Sequence, residues 1–273
     1  MPAIYDQLLD ATIQHLEDLK SRGAKHVAVS QQTLRELSQP VRIQKPEVKS
    51  QKPEDDETKT ISIFDVQSLN ANKTAAFTAL RERVMACVKC AHLASSRKNV
   101  VFGVGNLDAQ LMFVGEAPGA DEDKQGEPFV GAAGQLLTKI IQATGLSRSD
   151  VYIANILKCR PDTPGQSSGN RKPTPEEMQT CIPYLHEQID LIQPKVIVAL
   201  GATAVEGLLG KTVGITKLRG NWQTYRNTPL MPTFHPSYLL RNQAMSEKRK
   251  VWEDMLAVME KLEMPISDKQ RNY

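Results

Sequence analysis

The chain has 273 residues, 40% hydrophobic, 24% charged and only 5% aromatic, with four cysteines and a formal net charge of +3. That length supports a sizeable core with appendages, or two small domains; no apolar run reaches the roughly 18 residues of a membrane span, and the N-terminus has no signal-like pattern. Four cysteines are too sparse for a disulfide scaffold, so the composition points to a soluble, globular, cytoplasmic protein without a membrane partner, and +3 alone announces no nucleic acid.

In chain order, Ile4, Leu8, Leu9, Ile13, Leu16 and Leu19 recur at helical spacing, Gly23 is a C-cap, and a short amphipathic piece follows at 33–37. Residues 1–37 are therefore read as an N-terminal helical extension. From Ser38 to Thr60 apolar content collapses to Val41, Ile43 and Val48 among prolines and charges. Residues 38–72 are accordingly expected to be a flexible linker. The remaining domain, 73–273, alternates. A helix is predicted over 73–85, a strand over 111–114, a helix over 131–144 ended by Gly145, and a strand over 151–154. Thr174-Pro175-Glu176-Glu177 supplies an N-cap, a first-turn proline and a third-position glutamate for a helix to about 191. Val196–Leu200 is a continuous apolar strand suited to burial on both faces; a helix over 202–209, a strand near 230–234 and a helix over 246–262 complete the chain. This order predicts a three-layer α/β/α fold around a central, mostly parallel four-stranded sheet. Ligands of such folds sit beyond the carboxyl ends of the strands.

Charge and cysteines are unevenly spread. Residues 1–80 carry net −1 and residues 81–273 net +4, and Cys87, Cys90, Cys159 and Cys181 all lie in the second part. The Cys87-x-x-Cys90 spacing lets two thiolates reach one metal centre from a tight turn. Cys159 and Cys181 can complete a four-thiolate set for zinc or an iron–sulfur cluster. Ligand type alone does not separate these two, and ordinary buried thiols are the competing reading.

Three loops after strands carry unusual residues. The first runs from Gly115-Glu116-Ala117-Pro118-Gly119 through Glu122 to Pro128-Phe129-Val130-Gly131, placing carboxylates and backbone N–H groups at a strand end. The second is Asn155-Ile156-Leu157-Lys158-Cys159-Arg160-Pro161, whose asparagine can read a donor and an acceptor of a planar ligand. The third is His235-Pro236-Ser237-Tyr238-Leu239-Leu240-Arg241, a histidine before an apolar wedge and a basic residue. Taken singly, each is as well explained as a solvated acidic loop, a turn or an isolated histidine.

Together with the cysteines, with Gly134-Gln135-Leu136-Leu137 and with Gly201-Ala202-Thr203-Ala204, these loops resemble the family 4, iron–sulfur uracil-DNA glycosylases over residues 75–262. The resemblance implies an enzyme that flips uracil out of DNA, hydrolyses its N-glycosidic bond and leaves an abasic site for base excision repair. By the same resemblance, Cys87, Cys90, Cys159 and Cys181 would hold a 4Fe–4S cluster, a structural staple rather than a redox centre. Phe129 would stack on uracil, Asn155 would bond the edge that distinguishes uracil from cytosine, and Ala117 would offer its N–H. His235 would approach uracil O2, and Glu116 or Glu122 would orient water or stabilise the oxocarbenium. Tyr238, Leu239, Leu240 and Arg241 would enter the base stack, with Leu239 or Leu240 as wedge. Lys89, Lys158, Arg160, Lys217, Arg219 and Arg241 are the candidate phosphate contacts, so the weak global charge implies a small local footprint.

Two departures from the family stand out. The 21 residues between Cys159 and Cys181 exceed the usual spacing, the surplus at 162–172 reading as a loop insertion; and Lys217–Asn221 lacks the histidine with which a related subgroup traps DNA covalently, so simple turnover is expected. The competing function is a non-catalytic or polymerase-associated DNA-binding protein, in which residues 1–37 dock a protein partner. A monomer is expected.

Overall fold

A computed structural model describes residues 26–29, 59–163, 170–210 and 213–272, with side chains from residue 72 onward. Two compact units divide the chain, residues 1–74 and residues 75–273. In the first, strand β1 (His26–Val29) pairs antiparallel with β2 (Lys59–Ser62), His26 opposite Ser62. A strand thus stands within the segment read as helical, its four residues too short to show a period of two. The stripe at 4–19, the piece at 33–37 and residues 38–58 lie outside the described residues. The helix expected from Lys73 begins at Ile63 and ends at Met85.

The second unit is built on six strands. Beside β3 (Val104–Gly105), they are β4 (Leu111–Gly115), β5 (Tyr152–Asn155), β6 (Val196–Leu200), β7 (Gln223–Tyr225) and β8 (Thr228–Thr233), in the order β3-β5-β4-β6-β8-β7. The inner four are parallel and are the four expected from the apolar runs. The edge strands β3 and β7 are antiparallel additions. Two residues are too few to register as a strand in a sequence. The β7–β8 hairpin turns on Arg226 and Asn227, both at positive φ (47° and 66°), without the glycine that announces such turns.

Helices cover both faces. Met112, Val114, Tyr152, Ala154, Ile197, Ala199 and Leu230 point to one side, where Leu80, Val84, Leu185, Ile189 and Val205 meet them. Leu111, Phe113, Ile153, Val196, Val198 and Met231 point to the other, against Leu137, Ile141, Met255 and Val258. This alternation follows from the period of two in the strands; each fully buried large apolar side chain contributes roughly 1.5–3 kcal/mol. The helices Ala132–Ala143, Pro175–Ile192, Ala202–Leu209 and Met245–Lys261 stand close to their predicted positions. The expected capping box is formed: Thr174 Oγ1 accepts from Glu177 N–H at 3.2 Å, and Glu177 accepts from Thr174 N–H at 2.8 Å. Among the described residues no helix is long and apolar enough to cross a membrane.

Candidate active site and four-cysteine recess

The carboxyl ends of β4, β5, β6 and β8 open into one cleft of about 480 Å³, lined by Glu116, Ala117, Glu122, Phe129, Asn155, Gly201, His235 and Arg241 among others. The first loop is partly helical, because Gly119 caps the short helix Ala120–Gln125. Glu122, in its first turn, accepts the N–H of Gly119 at 3.1 Å and those of Val130 and Gly131 at 3.0 Å each. Its carboxylate therefore buckles the two ends of the loop together and is fully employed in doing so.

That buckle holds Phe129, a buried aromatic at φ 54°. Left-handed backbone is unfavourable for such a residue. Two features maintain it. Arg148 donates to the carbonyls of Phe129 at 3.2 Å and of Pro128 at 2.8 Å. Gly134 leaves the space, since a Cβ there would lie 1.9 Å from the Phe129 carbonyl carbon and oxygen. The Phe129 ring faces His235 with centroids 5.6 Å apart and planes inclined by 34°. Beneath both lies Gly115, where a Cβ would come within 2.4 Å of Asn155 Oδ1 and 2.5 Å of Phe129 Cζ.

Asn155 ends β5 and is 2% exposed. Its Oδ1 is the one buried side-chain nitrogen or oxygen without a hydrogen-bond partner among the described residues. An orphaned buried acceptor costs roughly 1–3 kcal/mol, so its persistence in a cleft wall marks a place where a ligand donor completes the bond. Lys158, expected at phosphate, is instead buried at 1% exposure, donating to Asn155 O at 2.8 Å and Gln188 Oε1 at 2.6 Å. Burial pulls its pKa down to about 8, against the opposing pull of Cys181.

His235 caps the helix Pro236–Arg241. Its Nδ1 accepts from Ser237 N–H at 3.1 Å and lies 2.7 Å from Ser237 Oγ. Burial, then the neighbouring Arg241, pull its pKa down to about 4, with Glu122 opposing. The ring is therefore neutral at pH 7, and the cap assigns its proton to Nε2. Glu116 is shifted the other way. Burial raises its carboxyl above the usual range, although a hydrogen bond with Thr203 and the charge of Lys172 work against the rise.

The expected stack-entering segment divides. Leu239 is 4% exposed and packs with Phe234 and Val251, whereas Leu240 is 40% exposed. Tyr238 leans on Phe234 with centroids 4.6 Å apart, and its hydroxyl donates to Glu247 at 3.1 Å. Arg219 is not among the cleft residues. It grips the buried Asp254 through Nε at 3.0 Å and through Nη2, and donates to Lys250 O at 2.6 Å. The surplus after Cys159 returns to the cleft, with Asp162 bridged to Asn170, and Asn170 and Arg171 on the cleft wall; residues 164–169 lie outside the described residues.

Of the supporting residues, Arg148 and Gln188 left no sequence signal. Gly134 did leave one: a glycine inside a helix costs about 1 kcal/mol against alanine and marks a close approach.

The four cysteines, scattered in sequence, line one recess with Val84, Leu93, Arg97, Leu157 and Tyr184. Cys87 follows the helix Ile63–Met85, Cys90 caps the helix Ala91–Ser96, and Cys181 lies on Pro175–Ile192. Arg97 donates to Cys159 Sγ at 3.0 Å and to Cys87 O at 2.7 Å, while Lys158 N–H reaches Cys181 Sγ at 3.3 Å. Burial first, and then neighbouring cysteines, push the thiols of Cys90 and Cys159 upward, and Cys181 to about 12. A cationic centre would favour the thiolate forms of such crowded sulfurs, and the N–H groups aimed at Cys159 and Cys181 suit thiolate ligands. Among the described residues no group of three or more His, Cys, Asp or Glu is arranged about a single metal ion.

Comparison with known proteins places these features. The model of the uracil DNA glycosylase superfamily matches residues 102–256. A type-4 uracil-DNA glycosylase of Thermotoga maritima is 52% identical over 178 residues, 64% of this chain and 88% of that protein. One from Archaeoglobus fulgidus is 42% identical over 173 residues, 60% of this chain and 83% of its own. A type-5 uracil-DNA glycosylase of Pyrobaculum aerophilum is 30% identical over 190 residues, 58% and 80% of the two chains.

Proposed function

The chain belongs to the uracil-DNA glycosylase superfamily, in its type-4 group, and on that premise we propose that it flips uracil out of DNA and hydrolyses the N-glycosidic bond, leaving an abasic site. The observation that carries this reading is the buried, unpartnered Oδ1 of Asn155, set beside Phe129 and His235 in the cleft. Uracil N3–H would fill that acceptor while the asparagine amide donates to O4. Cytosine presents the reverse pattern and would leave buried polar groups unpaired.

The roles follow from the surroundings. Phe129 is the stacking platform. Neutral His235, with Nδ1 occupied by Ser237, donates from Nε2 to uracil O2 as the electron pair of the breaking N1–C1′ bond moves into the ring. The Ala117 N–H faces the same developing charge. Water attacks C1′ and ends as the sugar hydroxyl, its other proton balancing the uracil anion. Glu116 is favoured over Glu122 for orienting that water, because Glu122 is engaged by three backbone N–H groups. Extrusion of the base costs a few kcal/mol. Exposed Leu240 fills the gap as the wedge and Arg241 meets phosphate, while Leu239 and Tyr238 support the helix from within. Arg219 supports it through Asp254 rather than touching DNA.

Cys87, Cys90, Cys159 and Cys181 would hold a 4Fe–4S cluster, supplying a covalent staple between distant segments rather than electron transfer. Reduced thiols and a DNA substrate suit a cytoplasmic address. We read the protein as a monomer, with any protein docking through residues 1–37 separate from catalysis.

Incubation with a uracil-containing oligonucleotide followed by alkaline cleavage tests the reading. Holo-protein is expected to yield strand breaks at uracil, and Asn155→Ala with His235→Ala to yield almost none. No product from holo-protein, or equal product from the double variant, would overturn it.

A further inference from the structure

Lys158 is a buried ammonium whose described side-chain partners are two neutral oxygens, Asn155 O at 2.8 Å and Gln188 Oε1 at 2.6 Å. Burying a cation without a carboxylate is costly. Lys158 lines the cysteine recess, where Cys181 favours its charge, while its Nζ turns to the two oxygens. At 1% exposure, DNA contact does not account for it. The far side of the network is fixed: Gln188 donates from Nε2 to Phe102 O and to the Tyr152 hydroxyl, each at 3.0 Å, which turns its Oε1 toward Lys158. Gln188 is fully buried and Tyr152 is 1% exposed, so the anchor is rigid.

The near side is the main chain of Asn155. Its Oδ1 has no partner in the free protein, so the side chain's aim depends on how its peptide is held. Ile156 N–H and Leu157 N–H bond Gly115 O and Glu116 O at 3.0 and 3.1 Å, tying the chain just beyond to the first loop. The grip on the Asn155 carbonyl itself comes from Lys158. The backbone N–H of Lys158 meets Cys181 Sγ at 3.3 Å. The same residue thus touches the cysteine recess and the base-reading amide.

Resting on the uracil-excision reading, we propose that Lys158 is the positioning residue of Asn155: its Nζ holds the Asn155 peptide against the Gln188–Tyr152 anchor and thereby aims the amide at uracil.

The test is a double-mutant cycle on holo-protein, with Lys158→Met, Asn155→Ala and their combination assayed on uracil oligonucleotides. Iron–sulfur absorbance and a thermal melt are followed on each variant. Misplacing a reacting group by about 1 Å can cost on the order of 100-fold. Lys158→Met is expected to lose roughly 10- to 100-fold in kcat/KM with absorbance retained, and to add less than about twofold in the Asn155→Ala background. Lys158→Arg, which keeps a donor, is expected to recover part of the loss. Should Lys158→Met fail to fold, Gln188→Leu carries the test, with a smaller loss that also vanishes in Asn155→Ala. Full activity of folded Lys158→Met, or of Gln188→Leu where that variant stands in, overturns the proposal, as do losses that multiply. A salt slope of DNA binding reduced by about one would do the same, assigning Lys158 to phosphate. An inactive wild type would overturn the parent reading instead.

Discussion

Burial disfavours the charged forms of both Glu116 and His235, and opposite pH responses follow. Glu116 has its folded pKa raised by burial, so its contribution to stability is full below the unfolded value and lost as pH rises through the folded one. At pH 7 the buried Glu116 carboxylate therefore destabilises the fold. Glu116→Gln should raise the melting temperature at pH 7 and remove the acidic limb of the rate profile, readable by calorimetry and by single-turnover assays from pH 4.5 to 8. His235 has its pKa lowered from 6.5 to about 4. Its contribution is full above pH 6.5 and is lost as pH falls toward 4, by about 3 kcal/mol at most. His235→Gln should flatten that part of the stability curve in denaturant melts. The cysteines, Phe129, Asn155 and His235 came together in the sequence only through the family resemblance of their loops, each having a plainer explanation when taken singly. Lys158 and Arg219 were expected at phosphate because sequence displays a charge but not its neighbours: Lys158 is buried against Asn155 O, and Arg219, partly buried, pairs with Asp254.

The short elements around the cleft divide labour between neighbours. In the helix Pro236–Arg241, buried Leu239 and exposed Leu240 are adjacent yet predict different losses. Leu239→Ala should cost about 2–5 kcal/mol through the cavity it leaves. Leu240→Ala should leave the melt unchanged while slowing excision from duplex far more than from single strands. Stopped-flow assays on both substrates, with parallel melts, check the pair. In the helix Ala132–Ala143, Gly134→Ala should displace Phe129, giving at least a tenfold fall in kcat/KM and a lower melting temperature. The helix Ala120–Gln125 and the β7–β8 hairpin escaped sequence reading for local reasons. A six-residue helix barely completes a period, and the Arg226-Asn227 turn adopts left-handed backbone without glycine.

Over the whole second unit, the inner strands were legible because strands buried on both faces are largely apolar: 111–114, 151–154 and 196–200 are continuous apolar runs, while β8 mixes Leu230 and Met231 with prolines and threonines. The edge strands and the exact course of 162–172 were not, since neither has a hydrophobic face to announce it. The site gathers side chains from Glu116 to Arg241, and the cysteine recess brings together segments from Cys87 to Cys181, which the proposed cluster would fasten. Removing iron by chelation at low pH, or Cys159→Ser, should therefore lower the melting temperature and the excision rate together. Retention of both would dismiss the staple.

Gly115 adds an evolutionary consequence. Asn155 Oδ1 and the Phe129 ring converge on the space its missing Cβ would fill, so positions 115, 129 and 155 form a single unit of inheritance. A side chain gained at 115 would meet both groups at once, so a tolerated change there should come with changes at both 129 and 155, and Gly115→Ala alone should displace the two together.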